Sequence, residues 1–525
     1  MSSNQDDHDT APPVAVADSG DHGEGGKVKM IVSLVKKCLG VKDIASMRLS
    51  LPASLLEPVP NLEYSQPLDR PDLFAAINES EDPFERMLSV LRFAFTKDLK
   101  HVHGKVCKPY NSVLGEHFRA HWDVVPLEDP DDLIDRPSRD PRESAESGSV
   151  RSGSFKSSFS TDDFESVKQA STAPTSPEPS HRAPRVRVVY LTEQVSHHPP
   201  VSAYYAMCPA RHIELRGIDQ ISAKVSGTTL RIAAGQYNQG LFIHLTGGPG
   251  DGEEYHLTNQ TGNVNGILRG NFYLTMSDSV VISCTNAHPS SKHGGIPRFR
   301  AIIEYKEESW LGRAHFLIEG VIFVVHDGET EHEAWTKVKQ VPHNRVAAAI
   351  DGTWKGHIRW KRVGVLSYPN TTSSVASSPS PSHAQLPRPS IPSASASRAE
   401  ILSTGSDDWQ TLIDVSELRA VPKEVRPLEK QQPFESRNLW RKVTENLLSK
   451  EYSDATKEKV AIEQKQRDDA AERKRTGVEF VPSYFDKSLE NGWSELSEEG
   501  RKAIEEEMSE PSSYTLGDAK STADQ

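Results

Sequence analysis

The chain has 525 residues, 36% of them hydrophobic, and a formal net charge of −13 at pH 7. Such acidity is unfavourable for a nucleic-acid partner, because neutralising phosphates requires a basic surface. Without a secretory signal, a run of about 18 apolar residues, or paired cysteine spacings, we expect an intracellular protein of a reducing compartment that does not span a membrane.

The N-terminal 49 residues contain a polar tail and then a helical pattern. Residues 1–26 carry six carboxylates and no Lys or Arg, so we expect a disordered acidic tail. Residues 27–49 predict an amphipathic helix, whose apolar stripe starts at Val28 and continues with Ile31, Val32, Val35 and Leu39. Such a stripe either packs into the protein's own core or covers a binding site as a lid.

Residues 50–487 are predicted to form one mainly β domain. Two Ser/Pro-rich insertions, 127–184 and 368–404, contain too little apolar surface to fold, so we expect them to be disordered. Elsewhere the apolar residues favour strands, at 186–191, 221–225, 229–232, 241–245, 271–276 and 299–305, with turns at 247–250, 327–328 and 351–352. This pattern predicts a single large antiparallel sheet that closes into a barrel, wide enough to enclose a ligand.

The C-terminal part is predicted to be helical. Residues 435–475 are strongly charged and contain no proline, which favours helix. Residues 488–525 predict a short helical segment followed by a disordered tail. The fold class is therefore mainly β with helices at both ends.

The rarest motif is Glu193-Gln-Val-Ser-His-His-Pro-Pro200. Each proline disfavours helix for the residue before it, so His198 is expected outside a helix. At a bend, the imidazoles of His197 and His198 can converge on one anion and donate N–H groups to it. A structural turn, with both rings bonded to the backbone, is the alternative.

A second motif is Lys108-Pro-Tyr-Asn111, followed by Leu114-Gly-Glu116. Pro109 favours a turn, Asn111 offers an amide and Lys108 adds a positive charge, a combination that suits an anion. A solvated loop explains the same residues.

A third candidate is the series Lys459, Glu463 and Arg467 in the charged helix. Their spacing of four residues places them along one stripe, where Glu463 could position both cations toward one ligand. A salt-bridged face in solvent is the alternative.

Signatures of enzymes are missing. The chain has no GxSxG, HExxH or GxGxxG motif, and we expect no catalysis, no cofactor and no metal. A zinc or hydrolytic enzyme that uses His197 would need further ligands or a nucleophile that the spacing does not indicate.

Together these motifs resemble the oxysterol-binding-protein-related lipid transfer family. The 193–200 motif is similar to its signature, 108–116 to its upstream motif, and Lys459, Glu463 and Arg467 to its C-terminal helix pattern. The segment 51–58, with Leu51 and Leu55, resembles the one that follows the lid. Ser112 departs from the usual proline, and the chain resembles a short form without a pleckstrin-homology domain.

The resemblance implies a nearly complete antiparallel barrel around a lipid tunnel, with phosphatidylinositol 4-phosphate held at its mouth. Headgroup contacts would come from Lys108, Asn111, His197, His198, Lys459 and Arg467, with Glu463 beside them. The lid and entrance would include Ile31, Val32, Val35, Leu39, Leu51 and Leu55.

The resemblance also implies exchange of this lipid for a second one. The core around 204–207 and 265–269 resembles short fungal phosphatidylserine carriers, which favours phosphatidylserine over sterol. A sensor or scaffold that binds lipid without moving it is the alternative. We expect a cytoplasmic protein bound peripherally to membranes, at endoplasmic-reticulum contact sites, where residues 159–164 would meet a receptor.

Overall fold

The structure is a computed structural model that describes residues 14–15, 24–38, 41, 43–44, 49–50, 53–104, 107–127, 184–267, 272–286, 298–308, 314–326, 328–363 and 408–512. Several predictions therefore fall outside the described residues. They concern nearly all of both insertions, the receptor motif at 159–164, and the lid or entrance residues Leu39 and Leu51.

Helices precede and follow the long strands. They are α1 (Glu24–Lys37), α2 (Asn61–Tyr64), α3 (Pro71–Ala75), α4 (Pro83–Thr96), α5 (Lys100–His103), α6 (Ser436–Leu439), α7 (Arg441–Leu448), α8 (Tyr452–Thr476) and α9 (Glu498–Met508). The helical prediction for 435–475 is confirmed by α6, α7 and α8.

The strands lie mainly between these two helical regions. They are β1 (Val14–Ala15), β2 (Leu49–Ser50), β3 (His117–Val124), β4 (Val186–His197), β5 (Pro200–Cys208), β6 (Ile213–Asp219), β7 (Ile221–Ser226), β8 (Thr229–Ala234), β9 (Leu241–Leu245), β10 (Glu253–Leu257), β11 (Thr261–Asn265), β12 (Tyr273–Ser277), β13 (Ser279–Asn286), β14 (Arg298–Tyr305), β15 (Leu317–Val325), β16 (Val346–Thr353), β17 (His357–Arg362) and β18 (Gln410–Asp414).

Twelve of these strands form one antiparallel sheet in the order β18-β17-β16-β15-β14-β13-β10-β9-β6-β5-β4-β3. A second sheet has the order β12-β11-β8-β7. The mainly β fold class with helices at both ends is confirmed. The short strand β1 lies in the tail that was predicted to be disordered, where it pairs with β2 in parallel.

The large sheet does not close into the barrel that the strand pattern predicts, because its edge strands β3 and β18 do not pair with each other in the described part of the chain. The segment after β18 runs along β3 instead, where Glu424 and His121 form an antiparallel bridge. The indole N–H of Trp122 donates to the carbonyl of Val421 at 3.2 Å. This segment therefore covers the free edge of β3.

One main core connects the sheet with the N-terminal helices. It contains Trp122 of β3 and Leu412 of β18, from opposite edges of the sheet, together with Phe84 and Phe93 of α4. Since both edges contribute to one core, the sheet must curl around α4. Exclusion of these apolar side chains from water is the main force that holds the curled sheet.

Helix α4 has clear start signals in the sequence. Asp82 accepts a hydrogen bond from the backbone N–H of Phe84 at 2.9 Å, and Pro83 occupies the first helical position. Phe84, Met87 and Leu91 form a buried apolar stripe. This helix was not predicted above, although its signals are present.

One predicted turn is wrong. Asp351 and Gly352 lie within β16, and the chain reverses only after Thr353. Gly352 has a φ of 144°, and a Cβ there would come within 2.4 Å of the carbonyl oxygen of His357. The glycine therefore permits close approach to β17 rather than a turn.

The helix of the predicted lid is α1, which ends at Lys37 and not at residue 49. The residues after it approach the edge strand β7. The N–H of Ile44 donates to the carbonyl of Ala223 at 2.6 Å, and the side chain of Asp43 accepts from the N–H of Ala223 at 2.7 Å.

No helix in the described ranges is long and apolar enough to cross a bilayer.

Candidate functional site

The two histidines lie at the tip of the hairpin between β4 and β5. β4 ends at His197 and β5 begins at Pro200, so His198 belongs to the turn that joins them. A register shift just before the tip interrupts the regular alternation of side chains. The two imidazole rings lie 4.6 Å apart with an interplanar angle of 66°. The bend thus brings two imidazoles together, and both are partly accessible.

The segment 108–116 leads into β3 and presents a cation beside an amide. The ammonium of Lys108 donates to the Oδ1 of Asn111 at 2.5 Å and to the carbonyl of Pro109 at 3.1 Å. Because the amide oxygen accepts from Lys108, the amide N–H groups are what Asn111 can offer to an anion. Both residues have exposed surface, so a ligand can reach them.

Helix α8 turns one stripe toward the protein, on which Ala455, Lys459 and Gln466 are buried. Only 4% of Lys459 is exposed, which excludes the interpretation that it belongs to a solvent face. Its ammonium lies 2.7 Å from the carboxylate of Glu463. Arg467 is half-buried one turn further on and donates to the Oε1 of Gln464 at 2.8 and 3.2 Å.

Backbone contacts join the second motif to the other two. The N–H of Leu114 donates to the Oε1 of Gln466 on α8 at 3.2 Å. The N–H of Gly115 donates to the carbonyl of Gln194 in β4 at 2.9 Å. The segment 108–116 therefore lies between the helix that carries Lys459 and the strand that ends in the histidine pair.

The positive charge of Lys459 acts on the ammonium of Lys108. Removal from water lowers the pKa of Lys108 to about 8, and the positive charge of Lys459 contributes, while Glu463 acts in the opposite direction. Lys108 keeps exposed surface, and its ammonium is bonded to Asn111 and to the carbonyl of Pro109. Two cations close together, with one carboxylate beside them, form a site that favours a polyanion.

Glu116 connects the segment 108–116 to Ser436 and Trp440 in the C-terminal helical region. It is fully buried and accepts hydrogen bonds from the hydroxyl of Ser436 at 2.7 Å, the indole N–H of Trp440 at 3.0 Å and the backbone N–H of Val113 at 3.0 Å. Burial raises the pKa of Glu116 to about 7, although these donors act to lower it. This role was missed in the sequence, because the partners are distant along the chain.

Glu193, the first residue of the histidine motif, binds the protein itself. Its carboxylate accepts from the backbone N–H groups of Ser483 and Tyr484, both at 2.8 Å. Burial raises the pKa of Glu193 to about 7 against the effect of these bonds. Glu193 therefore attaches the C-terminal segment to β4 and was also missed in the sequence.

The described residues of the predicted lid and entrance are partly buried. Ile31 and Val35 of α1 pack against the main core, and Val32 beside them is half-buried. Leu55 is half-buried in a short 3₁₀ turn, whose Ala53 N–H donates to the hydroxyl of Thr456 on α8 at 3.3 Å. The segment after the lid therefore contacts the helix that carries Lys459.

Comparison with known proteins identifies the family. A family model described as "Oxysterol-binding protein" matches residues 30–505. The "Oxysterol-binding protein-like protein 1" of Schizosaccharomyces pombe is 36% identical over 531 residues, which cover 93% of this chain and 92% of that protein.

Solved structures have a similar fold. The Osh1 ORD domain, solved in complex with cholesterol, matches with a TM-score of 0.54 at 18% identity, over 90% of this chain and 88% of that one. The Osh3 ORD of Saccharomyces cerevisiae, solved in complex with PI(4)P, matches with a TM-score of 0.50 at 16% identity, over 92% and 94%. At these identities the likeness concerns the fold alone. The family match and the S. pombe relative show that this chain belongs to the oxysterol-binding protein family and carries its lipid-binding domain.

Proposed function

We propose that this protein binds phosphatidylinositol 4-phosphate and exchanges it between membranes for a second lipid. The observation that carries the proposal is the pair of cations Lys108 and Lys459: removal from water and, after it, the charge of Lys459 lower the pKa of Lys108 to about 8. Their repulsion is unfavourable without a ligand. A phosphate between them would remove that cost and accept charge-assisted hydrogen bonds.

The geometry and the family motifs together support the proposed headgroup site. Phosphate oxygens would accept hydrogen bonds from cations, imidazoles and one amide, whereas Glu463 would hold Lys459 in position at 2.7 Å. The donors are Lys108, Asn111, His197, His198, Lys459 and Arg467. A complex of the Osh3 ORD with PI(4)P supports this choice of ligand.

The acyl chains would enter a tunnel inside the curled sheet, under the lid formed by α1. Ile31, Val32, Val35 and Leu55 would line its entrance, with Leu39 and Leu51, which lie outside the described residues. Burial of lipid chains contributes about 0.8 kcal/mol per methylene, which offsets the cost of extraction from a bilayer. Exposed Lys29, Lys36 and Lys37 lie on the other side of α1.

Phosphatidylserine is the second cargo that we favour, and sterol is the alternative. Phosphatidylserine rests on the resemblance of the core to short fungal carriers of that lipid. The Osh1 ORD complexes with cholesterol and ergosterol support sterol. Both cargoes would occupy the tunnel in competition with the phosphoinositide, at membranes that the protein contacts peripherally, including the endoplasmic reticulum.

Transfer between vesicles tests the proposal. Donor vesicles carry labelled phosphatidylinositol 4-phosphate, acceptor vesicles carry labelled phosphatidylserine or ergosterol, and the full chain is added in catalytic amounts. We expect the phosphoinositide and one second lipid to move in opposite directions, each faster in the presence of the other. Binding of the phosphoinositide without movement of either lipid would contradict transfer and support a sensor. Mass spectrometry of the co-purified lipid identifies the second cargo.

The proposed site predicts a pH dependence. Since the pKa of Lys108 is about 8, its charge is lost as the pH rises through that value, and phosphoinositide loading is expected to fall over the same range.

The stability of the ligand-free protein against unfolding is expected to change in the opposite direction. The unfolded state, with an ordinary lysine pKa of 10.5, binds more protons between the two values, so stability rises with pH there.

Loading measured by vesicle sedimentation across this range checks the prediction. Lys108→Arg keeps its charge throughout, so the decline near pH 8 should disappear in that variant even if its overall affinity is lower. An equal decline in both proteins would show that Lys108 does not contact the phosphate.

A further inference from the structure

A second group of polar side chains lies on the outer face of β3, on the side opposite the main core. His121 and Asp123 are two residues apart on this strand and therefore share a face. Glu424 is the bridge partner of His121 on the neighbouring segment. One ligand atom from each of the three lies within 4.8 Å of the other two.

The histidine of this group is buried and oriented. Only 3% of His121 is exposed. Its Nδ1 lies 2.7 Å from the Oε1 of Glu507 on α9, and as a carboxylate can only accept, Nδ1 carries the proton. The other nitrogen, Nε2, is buried without a hydrogen-bond partner and lies 3.5 Å from the Oε2 of Glu424. Lone pairs on two facing atoms repel each other, so a proton or a cation between Nε2 and the carboxylate of Glu424 would stabilise this contact.

The charged groups around His121, Asp123 and Glu424 are compatible with a further cation. Asp123 accepts from Arg187 at 2.7 and 2.8 Å, and Arg426 lies 3.6 Å from Glu507. Arg426 also pairs with Glu435 at 3.2 Å and with Glu506 at 3.7 Å, so its charge is shared among several carboxylates. Asp123 also accepts from the hydroxyl of Ser512, and since a carboxylate offers about four acceptor sites, one remains for an ion.

We propose that His121, Asp123 and Glu424 bind a divalent cation of the zinc class. One imidazole nitrogen and two carboxylate oxygens suit Zn²⁺, and a carboxylate on the other ring nitrogen, as Glu507 provides, is the usual support for a zinc-binding histidine. Zinc–ligand distances of about 2.0–2.2 Å place the donor atoms about 3.4 Å apart. Rotation of Glu424, whose side chain is 24% exposed, brings its oxygen inward.

Such an ion would join three parts of the chain that are far apart in sequence. It would bind β3 directly and the segment after β18 through Glu424, and it would hold α9 through the bond between His121 and Glu507. Sequence spacing does not indicate this site, because Glu424 and Glu507 follow hundreds of residues after His121. In the sheet His121 pairs with Val189, eight residues before His197 on β4, so we expect lipid loading to be independent of the ion.

Titration of the chelator-treated full chain with Zn²⁺, and with Co²⁺ as a spectroscopic substitute, tests the proposal. We expect one tight equivalent, a higher melting temperature, and visible Co²⁺ absorption bands. His121→Asn keeps a donor toward Glu507 but lacks the Nε2 ligand, and it should lose the bands and the tight equivalent. Glu424→Gln should weaken binding at least tenfold, and Glu507→Gln roughly 10–100-fold.

Glu506→Gln is the matched control. It removes the same charge from the neighbouring position of α9, where Glu506 pairs with Arg119 at 2.8 Å and contributes no ligand atom to the group. It should bind Zn²⁺ as the native chain does. The proposal is overturned if the native chain has no saturable single site, or if His121→Asn and Glu424→Gln bind as tightly as Glu506→Gln.

Discussion

Replacing both His197 and His198 with alanine is expected to abolish loading with phosphatidylinositol 4-phosphate while the second lipid is still extracted. Each imidazole would donate one hydrogen bond to a phosphate, and bonds to charged groups contribute about 1.5–3 kcal/mol each. Loss of two such bonds weakens binding by more than about a hundredfold. Extraction of labelled lipids from vesicles measures both cargoes in the same assay.

The difference between extraction of the phosphoinositide and extraction of the second lipid by this variant shows whether the histidine pair binds the headgroup. Phosphatidylserine or sterol would depend on the tunnel more than on these imidazoles, so its extraction should be at least partly retained. His343→Ala combined with His357→Ala is a matched control, because both residues are exposed and lie elsewhere on the chain. If the hairpin variant loses both cargoes equally and melts at a lower temperature, the pair is a structural turn.

Glu193→Ala is expected to destabilise the protein by about 2–5 kcal/mol. The substitution leaves the backbone N–H groups of Ser483 and Tyr484 without their carboxylate, and an unsatisfied buried donor costs about 1–3 kcal/mol. It also loosens a small apolar cluster in which Tyr484 and Phe485 pack against Leu191 of β4. Chemical denaturation followed by fluorescence and circular dichroism measures the change.

Glu193→Ala also distinguishes a structural role of Glu193 from a role in ligand binding. Glu193→Gln should have a smaller effect, since the amide retains one acceptor oxygen but turns an N–H₂ toward the second donor. Glu495→Ala on the attached segment should be almost neutral, because that side chain is 60% exposed and pairs with Arg216 only at 3.4 Å. Unchanged stability of Glu193→Ala, with loss of lipid loading, would assign Glu193 to the ligand instead.

Local patterns predicted the β elements well. The apolar segments at 186–191, 241–245 and 299–305 correspond to β4, β9 and β14, because β-branched and aromatic residues favour a pleated surface whatever follows. The turn expected at Asp351 and Gly352 is wrong for a related reason. A glycine supplies conformational freedom, but only the neighbouring strand decides whether that freedom serves a turn or a close approach.

The candidate site was predicted only in part. The motif residues themselves were identified, but the local charge pattern by itself favoured a solvent face for Lys459. Burial of Lys459 depends on which side of α8 meets the segment 108–116, through contacts such as that between Gln466 and Leu114. Glu116 and Glu193 were missed because their partners lie hundreds of residues away.

The sequence by itself determined the mainly β class, the helices near both ends and the family, since these depend on local propensity and on ordered motifs. Tertiary structure decided how the motifs meet: Lys108 beside Lys459, the histidines together at a hairpin tip, and His121 beside Glu424. The physical reason is that propensity acts between near neighbours along the chain. The charge of a site, the burial of its groups and their pKa values depend on residues that only the folded chain brings together.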